Sequence, residues 1–386
     1  MSQIRVLQVI GAMNRAGAET VVMNLMRAMN RERVRFDFLV HTSERCDYDD
    51  EIGALGGAIY RLPRYNVVNG KGYRSECRKL LEEHPEIQVV HGHIGSCSAI
   101  YLDEARKAGC ATIVHSHRDS PKPTSLKAVA RRKAYGALTR KTAGIADEFL
   151  ACGTQAGIDR FGIEVVEGAH FHLMRNGIDS ARYACDEDAH KRAKAELGFG
   201  DAPLIGCFAR LVPEKNHRFL LEAFARALPH IPQAKLLLAG RGPLEGDLHE
   251  LAKSLGIAES VMFLGVRDDI PQLLKSIDAF ALASTVEGLP VIAVEAQAAG
   301  VPCIMSTAVP EEAVFTELVQ RVELGEGVDE WAARLVALVE ADLPRADASS
   351  LVRAGGYDIH DVADWMADFY AELARNSERG RRGGVA

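Results

Sequence analysis

Little in this chain points to a membrane or a nucleic acid. No apolar run among its 386 residues approaches the roughly 20 that span a bilayer. Basic residues are not in excess. The 46 Lys and Arg stand against 53 Asp and Glu, a formal net charge of −7, and a surface that neutralises phosphates needs the opposite sign. No two of the eight cysteines form a C-x-x-C pair, which weighs against a zinc ribbon or a redox motif. Several stand in apolar segments, as Cys207 does in L-I-G-C-F-A, so they read as reduced thiols in or near the core of a cytoplasmic protein. No repeat of solenoid period occurs. The start, a strand-like Ile4–Ile10 followed by a glycine loop, lacks the pattern of a signal peptide. What remains is the composition of an ordinary globular protein, 47% hydrophobic and 26% charged. Its length suits two domains of about 150–200 residues.

Strand-like apolar runs alternate with helical patterns nearly throughout, the order expected of parallel sheets covered by helices. A first series of strands is predicted at 4–10, 36–40, 88–91, 112–115 and 148–151, with an amphipathic helix over 19–29. After a charged stretch at 186–201, a second series follows at 204–208, 234–239, 260–264, 279–282 and 302–305. Helical patterns at 219–227, 243–255, 270–276 and 290–299 separate them. The predicted fold is α/β, two Rossmann-like doubly wound domains facing across a cleft, divided as 1–185 and 186–356. A last amphipathic helix, 357–375, carries Val362, Trp365, Met366, Phe369 and Tyr370 along one stripe and is expected to pack back toward the first domain. Residues 376–386 are basic and glycine-rich and are expected to fray. Open α/β domains take their ligands at the carboxyl ends of strands.

The most informative segment is S-T-V-E-G-L-P-V-I-A-V-E-A-Q-A-A-G, residues 284–300. A predicted strand ends at Ser284, a loop carries Glu287, Gly288 and Leu289, and Pro290 opens a helix where a missing N–H costs nothing. The free amides from Val291 onward, with the positive end of the helix dipole, suit a diphosphate. Glu295, five residues into the helix, can accept two hydrogen bonds from a ribose diol, and Glu287 can do the same for sugar hydroxyls. Taken alone, both acids can equally be loop and first-turn carboxylates that only favour the dipole.

The two glutamates in E-G-L-P-V-I-A-V-E resemble the E-x7-E signature of retaining GT-B glycosyltransferases of the glycogen-synthase-like group, family 4. Upstream, F-A-R-L-V-P-E-K-N-H-R-F-L-L-E-A-F at 208–224 is similar to the family's G-R-L-x-x-x-K-G-x-x-x-L segment, which implies Arg210 and Lys215 as diphosphate ligands. Ala209 and Asn216 stand where glycine is commoner. L-A-G-R-G-P at 238–243, with Gly240 and Gly242, resembles the A-G-x-G-P turn. F-L-G ending at Gly265, with Asp268, Asp269 and Ile270, resembles the base-binding stretch, and N-G-I-D at 176–179 the close of the first domain. V-L-Q-V-I-G-A-M-N-R-A-G-A-E-T, F-D-F-L-V-H-T, L-G-G-A-I-Y-R-L-P and I-V-H-S-H-R are similar to the EpsF-like subgroup of exopolysaccharide and capsule enzymes.

The resemblance runs from Ile4 to about Tyr370 and implies a definite activity. A sugar passes with retention from a nucleotide-sugar, UDP-linked by the subgroup's habit and GDP-mannose as runner-up, to a hydroxyl of a lipid-linked or growing polysaccharide. The first domain takes the acceptor and the second the donor. No metal cofactor is implied. Glu287, Arg210, Lys215 and His115 are the implied catalytic group. Gly17, Gly240, Gly242, Gly265, Gly288, Leu289, Pro290, Val291 and Glu295 are the implied nucleotide-sugar contacts.

Other patterns compete for attention. The loop 11–17 is an ordinary βα turn on its own, although Gly17 permits close backbone approach to a ligand at a helix start. His115 ends a strand and matches a family histidine that contacts the donor sugar; unaided, it reads as a core residue, and His117 and Arg118 are lesser candidates for the acceptor. His91 and His93, in V-V-H-G-H, could form a metal pair, but no third ligand is evident. Asp47-Tyr48-Asp49 and Asp186-Glu187-Asp188 spell the metal-binding D-x-D of another glycosyltransferase fold, yet neither ends a predicted strand, so both read as solvated. Gly240, Gly242 and Gly246 nearly spell a dinucleotide fingerprint but have one residue too many and no following acid. Arg131, Arg132, Lys133, Arg140 and Lys141 form either a solvated helix face or a contact with anionic lipid at the inner face of a membrane. Two other readings share the double-Rossmann plan: a non-hydrolysing UDP-sugar 2-epimerase and a silent sugar-nucleotide-binding subunit.

Overall fold

The computed structural model describes residues 3–117, 141–341 and 345–383. They fall into two compact units, one of Met1–Gly177 with Ile359–Ala386, the other of Ile178–Asp358.

In the first unit seven strands form one sheet: β1 (Ile4–Ile10), β2 (Val34–Val40), β3 (Ile59–Arg61), β4 (Ile87–Gly92), β5 (Ala111–Ser116), β6 (Glu148–Ala151) and β7 (Phe171–Leu173). Their order is β3-β2-β1-β4-β5-β6-β7, and every pairing is parallel. Strands covered on both faces read as nearly unbroken apolar runs, and in I-R-V-L-Q-V-I of β1 only Arg5 escapes full burial. Gln8, His91 and His115 break that pattern as buried polar residues in the three central strands. The strand order reverses between β1 and β4, and open sheets take ligands at the carboxyl ends beside such a reversal.

The C-terminal helix, Ile359–Gly383, packs on β1, β4 and β5. Val362, Met366 and Tyr370 are its buried stripe. Trp365, placed on that stripe by the sequence pattern, is 38% exposed instead. It precedes Met366 by one residue, about 100° round the helix, and stacks on Phe369 with ring centroids 5.2 Å apart. The helix also continues through 376–383, where the sequence suggested a fraying tail. The segment N-S-E-R holds no strong helix breaker before Gly380.

The second unit holds a six-stranded sheet of β8 (Leu204–Phe208), β9 (Lys235–Ala239), β10 (Val261–Gly265), β11 (Ala279–Leu282), β12 (Cys303–Ser306) and β13 (Val319–Val322). The order is β10-β9-β8-β11-β12-β13, again all parallel, and it reverses between β8 and β11. Helices His217–Ala227 and Val328–Glu340 pack together over one face, Phe219 meeting the fully buried Trp331 edge-on at 5.4 Å. Both units are thus doubly wound, Rossmann-like domains. The Ile178 N–H donates to Tyr357 O at 2.8 Å, and Ile178 forms a bridge with Asp358. Residues 178–185, placed by the sequence in the first domain, therefore open the second unit. Among the described residues no helix is long and apolar enough to cross a membrane.

Asp278, just before β11, ties this sheet to the helix Glu187–Glu196. It accepts hydrogen bonds from the Leu204 N–H at 2.6 Å, Lys194 Nζ at 2.9 Å and His190 Nε2 at 3.2 Å. Burial pushes its carboxyl up, but the bonds from His190, the Leu204 N–H and Lys194 outweigh that and hold it below the usual range. A depressed carboxyl stabilises the fold above its unfolded pKa, about 3.9, and that stability is lost as pH falls through the folded value. Asp278→Asn is expected to cost about 1.5–3 kcal/mol at pH 7. In urea unfolding at several pH values, the gap from wild type should close at acid pH.

Candidate functional site

The sharpest polar arrangement lies in the second unit, at the reversal between β8 and β11. After β8 the chain runs through Ala209–Val212 into a tight turn, Pro213–Lys215, and then the helix His217–Ala227. Asn216 joins turn to helix with φ of 53°, the one positive φ outside glycine among the described residues. That explains why glycine is commoner there, and why asparagine, which tolerates the left-handed region, can replace it. The turn aims Lys215 at the loop after β11. Its Nζ donates to both oxygens of Glu287, at 2.6 and 2.8 Å. Ser284 Oγ donates to the same carboxylate at 2.6 Å, and the Thr285 N–H joins Glu214 O at 2.8 Å. Glu287 is only 7% exposed, so a buried ion pair with one extra donor holds two loops together. The sequence assigned Glu287 and Lys215 to separate tasks; the fold makes them partners.

Arg210 is exposed and makes no ion pair among the described residues. Its loop is held by backbone bonds, from the Ala209 N–H to Ala239 O at 2.9 Å and the Leu211 N–H to Arg241 O at 3.0 Å. Gly240 and Gly242 make that crossing possible. A Cβ on Gly240 would lie 2.1 Å from Ala209 O, and one on Gly242 2.2 Å from Leu211 O. Gly265, at φ of 66°, ends β10 and accepts the Gly240 N–H at 2.7 Å. The structure thus shows Gly240 and Gly242 as requirements of backbone packing beneath the Arg210 loop, and Gly265 as a requirement of its left-handed backbone.

The helix Val291–Ala298 begins next to Glu287, after the buried Gly288, Leu289 and Pro290. Pro290 has extended backbone, ψ of 115°, and is the N-cap rather than the first helical residue. No side chain caps this end, which leaves its amides for an anion. Glu295, one turn on, accepts the Tyr183 hydroxyl at 2.5 Å. Burial raises its carboxyl, while Tyr183 and the Arg182 charge pull the other way. Tyr183 and Ser284 are partners that sequence reading missed. Tyr183 stands 112 residues from Glu295 and carries no local signal. His217, behind Lys215, is buried with no ring partner among the described residues, and burial first, then the Lys215 charge, lower it to about 4.

In the first unit Gly17 opens the helix Gly17–Ala28, again without a side-chain cap. A Cβ there would meet nothing within 4 Å, so the protein's own packing does not demand glycine. His115 is fully buried in β5, and neither ring nitrogen has a partner among the described residues. It does not stand alone. His91, His93 and His115 bring ring nitrogens within 4.8 Å of one another, so the third histidine that the sequence did not reveal comes from the neighbouring strand. His117 stacks on His115 at 4.0 Å. Arg118 and the basic run at 131–140 lie outside the described residues; Lys141 is exposed.

The two D-x-D tripeptides have structural employment. Asp47 accepts the Arg15 N–H at 2.9 Å, and Asp49 pairs with Arg61 at 2.5 Å. Asp186 caps the helix Glu187–Glu196 by accepting the Ala189 N–H at 2.7 Å. Replacing Gly242 with alanine should cost about 3 kcal/mol, because the clash is with backbone that cannot turn away. Gly246→Ala, on an open face of the helix Glu245–Ser254, should be neutral or stabilising by about 0.5–1 kcal/mol. Thermal unfolding of the two variants checks the contrast.

Residues 15–182 match the family described as Glycosyltransferase Family 4, and residues 189–350 that described as Glycosyl transferases group 1. A relative named putative glycosyltransferase EpsF, from Bacillus subtilis (strain 168), is 36% identical over 96% of this chain and 97% of its own. A GDP-mannose-dependent alpha-(1-6)-phosphatidylinositol monomannoside mannosyltransferase of Mycolicibacterium smegmatis is 29% identical over 67% of this chain and 68% of its own. Among solved structures, Anabaena Alr3699/HepE in complex with UDP superposes with a TM-score of 0.76 at 18% identity, over 96% of this chain and 100% of that one.

Proposed function

The chain belongs to the GT-B glycosyltransferases, with a family 4 half and a group 1 half, and we propose that it moves a sugar, with retention, from a UDP-sugar to a hydroxyl of a lipid-linked or growing polysaccharide. The observation that carries the reading is the Lys215–Glu287 pair with Ser284, beside the uncapped helix start at Val291. A nucleoside diphosphate fits there because its phosphates offer Lys215 a stronger partner than the carboxylate it now holds. Lys215 then turns to the phosphate and leaves Glu287 free to accept the sugar's hydroxyls. Glu295, already placed by Tyr183, suits the ribose. From the first unit, His115 and Gly17 are proposed contacts for sugar and phosphate.

In the transfer step the acceptor oxygen bonds to the anomeric carbon on the face from which the diphosphate departs. The bond from anomeric carbon to phosphate oxygen breaks, and that oxygen takes the acceptor's proton. Negative charge grows on the leaving phosphate, so Arg210, Lys215 and the amides from Val291 stabilise the transition state more than the ground state. UDP accords with the ligand of the Anabaena protein, and the mannosyltransferase relative makes GDP-mannose the competing donor. The phosphatidylinositol monomannoside in that relative's name and the basic run at 131–141 support a lipid-linked acceptor met at an anionic membrane face. No metal enters this scheme, so transfer should persist at full rate in EDTA. Loss of activity restored by manganese would refute it.

Lys215→Ala should lower turnover by about 10- to 150-fold, equivalent to 1.5–3 kcal/mol, with a smaller effect on donor affinity. Because it also strands a buried carboxylate, the double variant Lys215→Ala/Glu287→Gln separates stability from chemistry. Kinetics at saturating donor and calorimetry of donor binding decide the matter. Full loss of affinity with wild-type turnover would show that Lys215 does not serve the leaving group.

A further inference from the structure

The first unit buries four imidazoles that the proposed transfer uses only in part. Register places them together: His91 of β4 lies opposite Gln8 of β1 and Ile113 of β5, so His91, His93, His115 and His117 fall on one face of the sheet, at the carboxyl ends beside the strand reversal. Tyr370 of the C-terminal helix meets them on that face. Two of the rings are already oriented. His91 Nδ1 lies 2.7 Å from the Tyr370 hydroxyl, and His93 Nε2 lies 2.8 Å from Gln8 Oε1. An amide oxygen only accepts, so His93 carries its proton on Nε2 and turns the Nδ1 lone pair inward. That nitrogen now meets His117 Nε2 at 2.7 Å.

The remaining nitrogens stand empty. His91 Nε2, both nitrogens of His115 and His117 Nδ1 have no hydrogen-bond partner among the described residues, although all four are buried. Native folds leave few such atoms unsatisfied, and a concentration of them around one point calls for an occupant. Burial is the first cause that holds all four rings below the usual histidine range, and the charges of neighbouring histidines or of Arg160 add to it. The cluster therefore presents lone pairs, not charge.

We propose that His91 Nε2, His93 Nδ1 and a ring nitrogen of His115 bind a divalent transition-metal ion, with zinc as the ion the donor set suits best. Three imidazoles and one open position form a common zinc geometry, and imidazole is a poor ligand for magnesium or calcium. One ring nitrogen of each of the three residues lies within 4.8 Å of the others, and tetrahedral bonds of 2.0–2.1 Å would draw the ligand nitrogens to about 3.4 Å. Gln8 fixes the tautomer of His93, and Tyr370, whose hydroxyl also accepts the Gln8 amide at 3.2 Å, holds the ring plane of His91; histidine ligands usually have such a polar partner on the second nitrogen. On metal binding His93 exchanges the His117 N–H for the ion, and the fourth position takes water or hydroxide. The site is remote in sequence from the proposed phosphate ligands; of its three ligands only His115 is also a proposed sugar contact, and its second ring nitrogen stays available for that. Its occupation anchors the C-terminal helix to the central strands.

The test uses the untagged full-length chain, stripped with a chelator and titrated with zinc alone or cobalt alone. One ion per chain is expected, with the visible absorption of four-coordinate cobalt and a rise in melting temperature that grows with zinc concentration. His91→Gln and His115→Gln should abolish both signals, and Tyr370→Phe should weaken binding about 10- to 100-fold. His170→Gln, in the more exposed cluster with Glu148 and His172, should change nothing. Circular dichroism and melting in EDTA report whether each variant folds. Should the histidine variants fail to fold, the wild-type cobalt spectrum and Tyr370→Phe decide. The proposal is overturned by the absence of stoichiometric binding to the wild type, or by binding that survives in folded His91→Gln and His115→Gln.

Discussion

Lys215 and Glu287 come from loops 72 residues apart, and much of the second unit is arranged so that they meet. Two charges taken out of water are stable only while each has the other, so anything that moves one loop exposes a buried charge on its neighbour. The backbone bond from Thr285 to Glu214 sets the distance between those loops. The crossing at Gly240 and Gly242 seats the Arg210 loop from below. Asn216 supplies the left-handed turn that aims Lys215 without a glycine. Each is a backbone requirement, and their common product is one lysine ammonium within reach of one carboxylate.

In the proposed reading such a pair also suits the site to a charged ligand. The ammonium and the carboxylate meet in a largely dry place, where Coulombic interactions are stronger than in water. The neighbouring helix start adds amides already pointed at the same region. In the transfer we propose, binding is then an exchange of partners within a preorganised set, and little reorganisation remains for the moment when the sugar–phosphate bond breaks.

Sequence reading found what repeats along the chain and missed what depends on register. The long strands were legible because parallel strands buried on both faces are unbroken apolar runs. The strands β3 and β7, three residues each, and β13, four residues, were not, since edge strands so short and so little buried leave no run to see. The division near residue 185 came from composition, which shifts at the charged stretch. The fold instead passes from one unit to the other at Gly177, because Ile178 pairs with Asp358 at the far end of the second unit. Glu287, Lys215, Arg210 and Glu295 were legible as motif residues. That Lys215 holds Glu287, or that Tyr183 holds Glu295, was not, because neither partner is local.

The histidines show the same limit more sharply. His91 and His93 spell a pair with no third ligand while the chain is read as a line. Once β4 and β5 align Gly92 with Val114, His115 falls beside them. The parallel sheet does this without any local signal, since strands that all run one way deliver every strand-end side chain to the same edge. In the second unit that edge collects a lysine, a glutamate and a bare helix start. In the first it collects imidazoles whose charge burial has removed. The two sheets share parallel strands, a reversal and a place for polar residues, yet in our proposals one edge meets charge and the other offers lone pairs. Fold alone therefore explains where the chemistry of each unit lies, and the identity of a few strand-end side chains decides what that chemistry is.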